Sequence, residues 1–204
     1  MKYFSKYLVL LAAALVLVSC TKKPSDYFPM KIGNKWDYNF KITMNGNTQN
    51  STMSYNILSK GPVGTSEYYK FESTFGWMPE GSNKSADYYR ESEAGIVIKT
   101  PDEKKNDELV VVPAPLEVGK TWEAAYPNGK KKYTVSKFES LAIGDKTYND
   151  CVKIDYEQTG VAGNDAGYYY FAKDVGLVKI FMKTGKDSTS NETEVTLTNF
   201  VQGN

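Results

Sequence analysis

The stretch Lys35-Trp-Asp-Tyr-Asn-Phe-Lys-Ile-Thr-Met44 alternates apolar and polar side chains over ten residues. A period of two places the apolar side chains on one face of a β-strand and leaves the other face in water. Asn45-Gly46-Asn47 follows directly, and this sequence accepts positive φ and is typical of a tight hairpin turn. The Thr-, Ser- and Tyr-rich residues up to Lys60 then predict the returning strand.

The same pattern of short alternating segments and turns continues to the end of the chain. Turn-forming sequences such as Pro127-Asn-Gly129 and Gly144-Asp-Lys146 separate the segments, and we recognise no amphipathic helix after the leader. The sequence therefore predicts an all-β fold of about twelve antiparallel strands, forming either a curved half-barrel or a sandwich. The further strands are predicted at 67–75, 86–91, 95–100, 108–112, 120–126, 130–143, 148–158, 167–173, 176–183 and 192–202.

Two parts of the sequence repeat each other in order. The segment 29–36 (PMKIGNKW) returns as 115–122 (PLEVGKTW), and 89–99 (YRESEAGIVIK) returns as 170–180 (YFAKDVGLVKI). The spacing predicts two similar halves, pseudo-repeats at about 28–100 and 114–185, within a single β domain over 27–204. Chance reuse of similar hairpins is the alternative.

Glycine and tryptophan mark equivalent places in the two halves. Gly95 and Gly176 each stand between a Tyr-rich strand and an apolar run, where a hairpin needs a residue without Cβ. Trp36 and Trp122 each begin a strand three residues after a glycine. We expect the glycines in turns and the tryptophans in packing roles at one end of the sheet.

The N-terminus predicts a cleaved export signal. Lys2 and Lys6 precede the apolar run Leu8–Val18, and residues 1–19 are too short an apolar segment to remain as a membrane span. The run ends in Leu17-Val-Ser-Cys20, in which a cysteine stands at the cleavage point. A plain signal with an incidental cysteine is the alternative. Residues 20–26 are polar and predict a short tether.

The chain resembles a group of uncharacterised bacterial lipoproteins. The resemblance rests on this lipobox, on an F-P-x-x-x-G-N-x-W opening at 28–36 and on a Y-x-x-x-x-x-G-L-V-K ending at 170–179. It implies that Cys20 takes a diacylglyceryl group and becomes the mature N-terminus, so that the lipid anchors an all-β region to the membrane surface. In the sorting rule for such lipoproteins, aspartate after the lipidated cysteine retains the protein in the inner membrane. Thr21 stands at this position here, which implies anchoring in the outer membrane. A looser likeness links the chain to the half-barrel lipoprotein carriers, whose covering helices this sequence lacks.

Composition excludes several classes of function. With 25 basic and 24 acidic residues the chain is nearly neutral, and loss of Lys2 and Lys6 with the leader leaves it slightly negative, so we expect no nucleic-acid partner. Arg90 is the only arginine, which argues against a phosphate site. The chain has no histidine, so Ser-His-Asp and Cys-His catalysis and the usual zinc ligand are missing. We predict no catalytic residue, no metal and no cofactor.

Cys151 is left without a partner once Cys20 is lipidated, and no disulfide is expected. Its side chain either packs in the core or senses oxidation, and packing is favoured.

Asp155 and Glu157 share one face of a predicted strand and supply the one pattern suited to a carboxylate-based hydrolase, although a solvated strand face is the simpler interpretation. The acidic segment 102–108 and Asn164-Asp165 lack the spacing of a calcium loop.

Aromatic side chains give the candidate ligand-binding residues. The loop 75–81 contains Phe75, Trp77 and Met78 where polar turn residues are usual, and this loop is either a lid, ligand anchor or membrane wedge, or a plug over one end of the sheet. Tyr168 and Tyr170 belong to a run of three tyrosines, some of which must face away from the main core. Such rings bind sugars or partner proteins, or else lie half-buried on the sheet.

These observations favour a non-catalytic lipoprotein of the cell envelope, anchored to the outer membrane by lipid on Cys20 and facing the periplasm or the surface. The expected partner is a hydrophobic ligand, a glycan or another protein. A structural or assembly lipoprotein without a small ligand is the alternative, and the hydrolase comes third. A binding protein should contain a concave apolar pocket, whereas a scaffold should have a filled interior.

Overall fold

The computed structural model describes residues 22–99, 108–126, 129–160, 165–185 and 191–204. Over these ranges the chain has one helix, α1, at Pro24–Tyr27, and twelve strands follow it. The strands are β1 Lys35–Met44, β2 Asn47–Val63, β3 Ser66–Phe75, β4 Lys84–Ser92, β5 Gly95–Lys99, β6 Glu108–Pro113, β7 Thr121–Tyr126, β8 Gly129–Ile143, β9 Lys146–Thr159, β10 Asp165–Ala172, β11 Gly176–Thr184 and β12 Asn191–Val201. Among these residues, no helix has the length and apolar character that crossing a membrane requires.

All twelve strands form one antiparallel sheet in the order β6-β5-β4-β3-β2-β1-β12-β11-β10-β9-β8-β7. Strands that follow each other in sequence pair, except β6 with β7. The first strand also pairs with the last, so that Tyr38 lies opposite Leu197 and Phe40 opposite Val195. The sheet curls into a nearly closed barrel whose gap lies between the edge strands β6 and β7.

The predicted fold class is confirmed. The chain is all-β with twelve antiparallel strands, and the turn residues Asn45 and Gly46 have φ of 50° and 79°, as a tight hairpin turn requires. The sandwich alternative is wrong, because a sandwich needs two packed sheets and every strand here belongs to one. Curvature lets a single sheet face itself, so that the apolar sides of all strands meet in one interior.

The alternation seen in the sequence explains this interior. Trp36 and Tyr38 are 4 % and 2 % exposed, whereas Asn39, the residue after Tyr38 in β1, is exposed. The same alternation in β9 buries Val152, Ile154 and Tyr156. Every strand therefore contributes its inward side chains to a core that runs around the inside of the barrel.

The β8–β9 hairpin also buries residues on its other face. Register shifts between Val135 and Lys137 and between Glu139 and Leu141 bend the hairpin. Cys151 is completely buried there, and its Sγ lies 3.4 Å from the carbonyl oxygen of Tyr148. Burial raises the pKa of this thiol to about 11, so the side chain is a neutral packing residue, as predicted.

The N-terminal segment packs against one end of the barrel. Tyr27 is 1 % exposed, and Lys22 forms an ion pair with Asp150 and donates a hydrogen bond to the Tyr27 hydroxyl. Residues 20–26 were predicted as a tether, and the described part of that segment is folded from Lys22 onward. Cys20, Thr21 and the leader 1–19 lie outside the described residues, as do 102–107 and Asn164.

The repeated sequence segments fall at equivalent positions of the strand order. Trp36 is in β1 and Trp122 in β7, each the first strand of one half, while Gly95 and Gly176 open β5 and β11 with φ of 117° and 95°. These conformations suit a residue without Cβ. Both tryptophans pack as expected, Trp36 between Phe71 and Phe200 and Trp122 on Tyr133. Duplication as the origin of the halves stays a prediction.

Candidate functional site

A cavity inside the barrel is the candidate site. It has a volume of about 160 Å³ and is partly open to solvent. Aliphatic side chains, including Leu177 and Ile180, and a single carboxylate, Asp87, complete its wall. Its aromatic lining consists of Phe28, Trp36, Tyr38, Tyr55, Phe71, Tyr89, Tyr169 and Phe171.

Strand register brings these rings together. Trp36 lies opposite Tyr55 across β1 and β2, and Phe71 lies opposite Asp87 across β3 and β4. Residues directly opposite each other point to the same face, so each pair sends both side chains into the barrel. The ring centroids of Phe71 and Tyr89 are 4.6 Å apart, which makes a continuous aromatic wall.

The N-terminal segment closes one end of the cavity. The Phe28 ring, which follows α1, lies 5.2 Å from the ring of Tyr89 and 5.6 Å from that of Phe71. Gly176 lies beside it, where an added Cβ would approach Pro29 Cδ to 3.3 Å and Trp36 Nε1 to 3.4 Å. A side chain at this glycine would therefore crowd the base of the cavity.

Two polar groups of the cavity wall are hydrogen-bonded to the backbone. The Tyr38 hydroxyl donates to the carbonyl oxygen of Leu177 at 3.0 Å, and the Trp36 indole Nε1 donates to that of Val175 at 2.6 Å. Burial raises the pKa of Tyr38 well above its usual value, and that of Tyr55 to about 12 with a smaller contribution from Asp87. These hydroxyls stay neutral at physiological pH.

The predicted loop residues Phe75, Trp77 and Met78 lie outside the cavity wall. Trp77 stacks on Phe40, with centroids 4.2 Å apart, and contacts Phe75 at 4.9 Å. It remains 46 % exposed, and Met78 is 39 % exposed. The β3–β4 loop thus lays a tryptophan over inward rings of β1 and β3, beyond the cavity. A role of these three residues in ligand binding stays a prediction.

Tyr168 and Tyr170 also lie away from the cavity, because Tyr169 between them points inward. Tyr170 is 7 % exposed, and its hydroxyl donates to Glu139 Oε1 at 2.5 Å. Tyr168 stacks on Phe181 beneath the ammonium group of Lys153. Both rings pack on the outer face of the sheet, and their predicted part in ligand binding remains untested.

The residues that line the cavity differ from those singled out in the sequence. Trp36 was expected only to pack, and Tyr55, Tyr89 and Asp87 were not proposed as site residues. The alternation of β4 was a usable signal, since it places Asp87 and Tyr89 on one face. Sequence alone does not tell which face is inward, because Tyr88 is as aromatic as Tyr89.

The acidic pair considered for hydrolysis lies outside the barrel. Asp155 and Glu157 alternate with the buried Ile154 and Tyr156, and Asp155 forms an ion pair with Lys153 at 2.7 Å. Within the described ranges, no group of three or more Cys, Asp or Glu side chains is arranged to hold a metal ion. The absence of enzymatic activity stays a prediction.

No protein-family model matches the chain, and no curated protein matches it. Among solved structures, the barrel is similar to a Bacteroides fragilis protein described as a candidate exported protein with a YmcC-like fold (TM-score 0.49, 14 % identity, 86 % of this chain and 98 % of that chain). It is also similar to a candidate lipoprotein of Parabacteroides distasonis (TM-score 0.49, 16 % identity, 86 % and 98 %) and to a LolA superfamily protein of Nitrosomonas europaea (TM-score 0.39, 10 % identity, 89 % and 90 %). Likenesses at this level identify neither a ligand nor an activity.

Proposed function

We propose that this protein is a lipid-anchored protein of the cell envelope that holds a hydrophobic ligand inside its barrel. The observation that carries the proposal is the cavity of about 160 Å³ with eight aromatic residues in its wall. Stacked and tilted rings line a space that side chains leave open, and apolar ligands gain most by moving from water into such a space. The lipid anchor on Cys20 is proposed from the lipobox sequence.

The chemistry of the wall favours a hydrophobic ligand over a glycan. A sugar needs many hydrogen-bonding groups, whereas the Tyr38 hydroxyl and the Trp36 indole are already bonded to backbone carbonyls. The cavity also argues against a purely structural role, since a scaffold gains stability from a filled interior. The exposed side chain of Trp77 could contact a partner protein, but a single exposed aromatic residue is not in itself evidence of such a contact.

The test is a binding measurement on the mature chain with Cys20→Ser, which lacks the lipid and keeps every described residue. N-phenyl-1-naphthylamine, an apolar dye that fluoresces strongly away from water, serves as the probe. We expect saturable binding of about one dye per chain, because the cavity lined by aromatic rings is a single apolar site. Native mass spectrometry of the same sample should show extra mass from a co-purified ligand.

A matched pair of substitutions separates the cavity from other surfaces. Leu177→Trp fills the cavity and should weaken dye binding about ten-fold or more. Leu58→Trp makes the same change at a side chain that is 45 % exposed on β2, and it should leave binding unchanged. Equal binding by both variants, or no saturable binding by the parent chain, contradicts the proposal.

A further inference from the structure

Asp87 places a carboxylate in a wall that is otherwise aromatic and aliphatic. It lies opposite Phe71 on β3 and two residues from Tyr89 on the same face of β4. Burial is the main cause that raises the pKa of the Tyr55 and Tyr89 hydroxyl groups, and the charge of Asp87 makes a smaller contribution in the same direction. The carboxylate therefore faces the interior among at least three rings.

Within the described part of the chain, no basic side chain pairs with this carboxylate. The two basic residues of its own strand are engaged elsewhere, since Arg90 binds Glu108 on the outer face and Lys84 pairs with Glu72. The residues that line the cavity with Asp87 carry no positive charge. Phe71 lies opposite it on β3, Tyr89 lies on the same face of β4, and Tyr55 of β2 and Phe28 of the N-terminal segment also belong to the wall.

An unpaired anion in an apolar cavity is unfavourable. Burial accordingly raises the pKa of Asp87 above its usual value, and no cation acts in the opposite direction. A positive charge brought by a ligand would relieve this cost. The surrounding rings favour the same charge, because the faces of aromatic rings attract cations.

We propose that the cavity binds a cationic amphiphile, an alkyl chain that ends in an amine or quaternary ammonium group, with the cation between Asp87 and the rings of Tyr55, Phe71 and Tyr89. This inference rests on the proposed function and adds the chemical class of the ligand. The alkyl chain fills the apolar remainder of the cavity, and the carboxylate selects the head group.

The test compares three probes with the same alkyl chain on the mature Cys20→Ser protein. Dodecyltrimethylammonium is a cation, dodecanol is neutral and laurate is an anion, and each is titrated below its micelle concentration to displace N-phenyl-1-naphthylamine. We expect the cation to bind about ten-fold more tightly than dodecanol, and laurate to bind more weakly than either. Dodecylphosphocholine then distinguishes a lipid head group from a plain amine, because it adds a phosphate to the same ammonium.

Asp87→Asn keeps the shape of the side chain and removes its charge. The variant should bind dodecyltrimethylammonium about ten-fold more weakly and should lose the preference for this cation over dodecanol. Asp155→Asn, which neutralises a carboxylate on the outer face, should change neither. In the parent protein the preference for the cation should fall as acid protonates Asp87, while Tyr55 and Tyr89 remain neutral, and this measurement needs no variant.

The outcomes separate the two proposals. Failure of all three probes to displace the dye overturns the proposed function together with this inference. Equal binding of dodecanol and the cation, or tighter binding of laurate, overturns the inference and leaves a general hydrophobic site. Loss of the preference in Asp87→Asn but not in Asp155→Asn supports the carboxylate as its source.

Discussion

Asn34 joins the two ends of the fold through one side chain. It is 1 % exposed, its Oδ1 accepts a hydrogen bond from the backbone N–H of Gly203 at 2.8 Å, and its Nδ2 donates to the carbonyl oxygen of Pro29 at 2.9 Å. Gly203 has no room for a Cβ, which would lie 2.1 Å from the carbonyl oxygen of Ile32. The asparagine thus links the segment before β1 to the residues after β12.

Asn34→Ala should lower the free energy of unfolding by about 2 kcal/mol, because it leaves a partly buried donor and a partly buried acceptor of the backbone without partners. Urea denaturation followed by circular dichroism measures the change. Asn39→Ala, at an exposed position of β1, is the control and should stay within about 0.5 kcal/mol of the parent. A loss of similar size in both variants would show that Asn34 does not act through its buried hydrogen bonds.

The gap between β6 and β7 is bridged by side chains where the rest of the barrel uses strand pairing. The Trp122 indole Nε1 of β7 donates to the carbonyl oxygen of Val110 in β6 at 2.9 Å. The Trp122 ring stacks on Tyr133, with centroids 5.1 Å apart. The Trp122 side chain therefore links β7 to β6 across the gap, where the two strands do not pair.

Trp122→Phe retains a ring against Tyr133 and removes the hydrogen bond to β6. We expect a loss of about 1 kcal/mol in unfolding free energy, together with faster amide hydrogen exchange confined to β6 and β7. Hydrogen exchange with mass spectrometry reads each strand separately. Trp77→Phe, in an exposed loop, provides the comparison and should leave both edge strands as protected as in the parent.

The sequence predicts those strands and turns that depend on local features, namely the alternation of apolar and polar residues and the turn-forming sequences. Alternation from Trp36 to Met44 and the Asn45-Gly46 turn predicted β1 and its hairpin, and the structure has both. The pairing of β1 with β12 was not predictable, since it joins strands about 150 residues apart and depends on how strongly the sheet twists. The cavity was missed for a related reason: alternation predicts that Tyr55 and Tyr89 share faces with other rings, but not that the space between them stays open.

At the scale of the whole molecule, carboxylates with lowered pKa set the response to acid. Burial alone would raise the pKa of Glu108, but hydrogen bonds from Arg90 and Tyr68 outweigh it and hold the pKa below the ordinary value of 4.5. Hydrogen bonds from Tyr170 and Lys137 likewise lower the pKa of Glu139. A group whose folded pKa is lowered contributes stability above its unfolded pKa, and this contribution is lost as pH falls through the folded pKa.

We therefore expect the unfolding free energy to be nearly constant from pH 8 to 5, because the chain has no histidine, and to fall below about pH 4.5. Glu108→Gln should be less stable than the parent at pH 7, and the two proteins should converge as the pH is lowered to about 3. Urea titrations across this range measure both curves. Glu80→Gln, in the exposed β3–β4 loop, should follow the parent, and a Glu108→Gln curve parallel to the parent would contradict the role of the Arg90–Glu108 pair.

The pairing of β1 with β12 has a consequence for how the chain folds during synthesis. In a chain synthesised from its N-terminus, β1 is made early. One edge of β1 then has no partner strand until residues 191–201, which form β12, have been made. During this interval the waiting edge is open to pairing with other chains, and the polar residues that alternate along it, such as Lys35 and Lys41, keep such pairing unfavourable. A product truncated before residue 191 would leave β1 and β11 as open edges in addition to β6 and β7, so we expect premature termination to yield an aggregation-prone fragment.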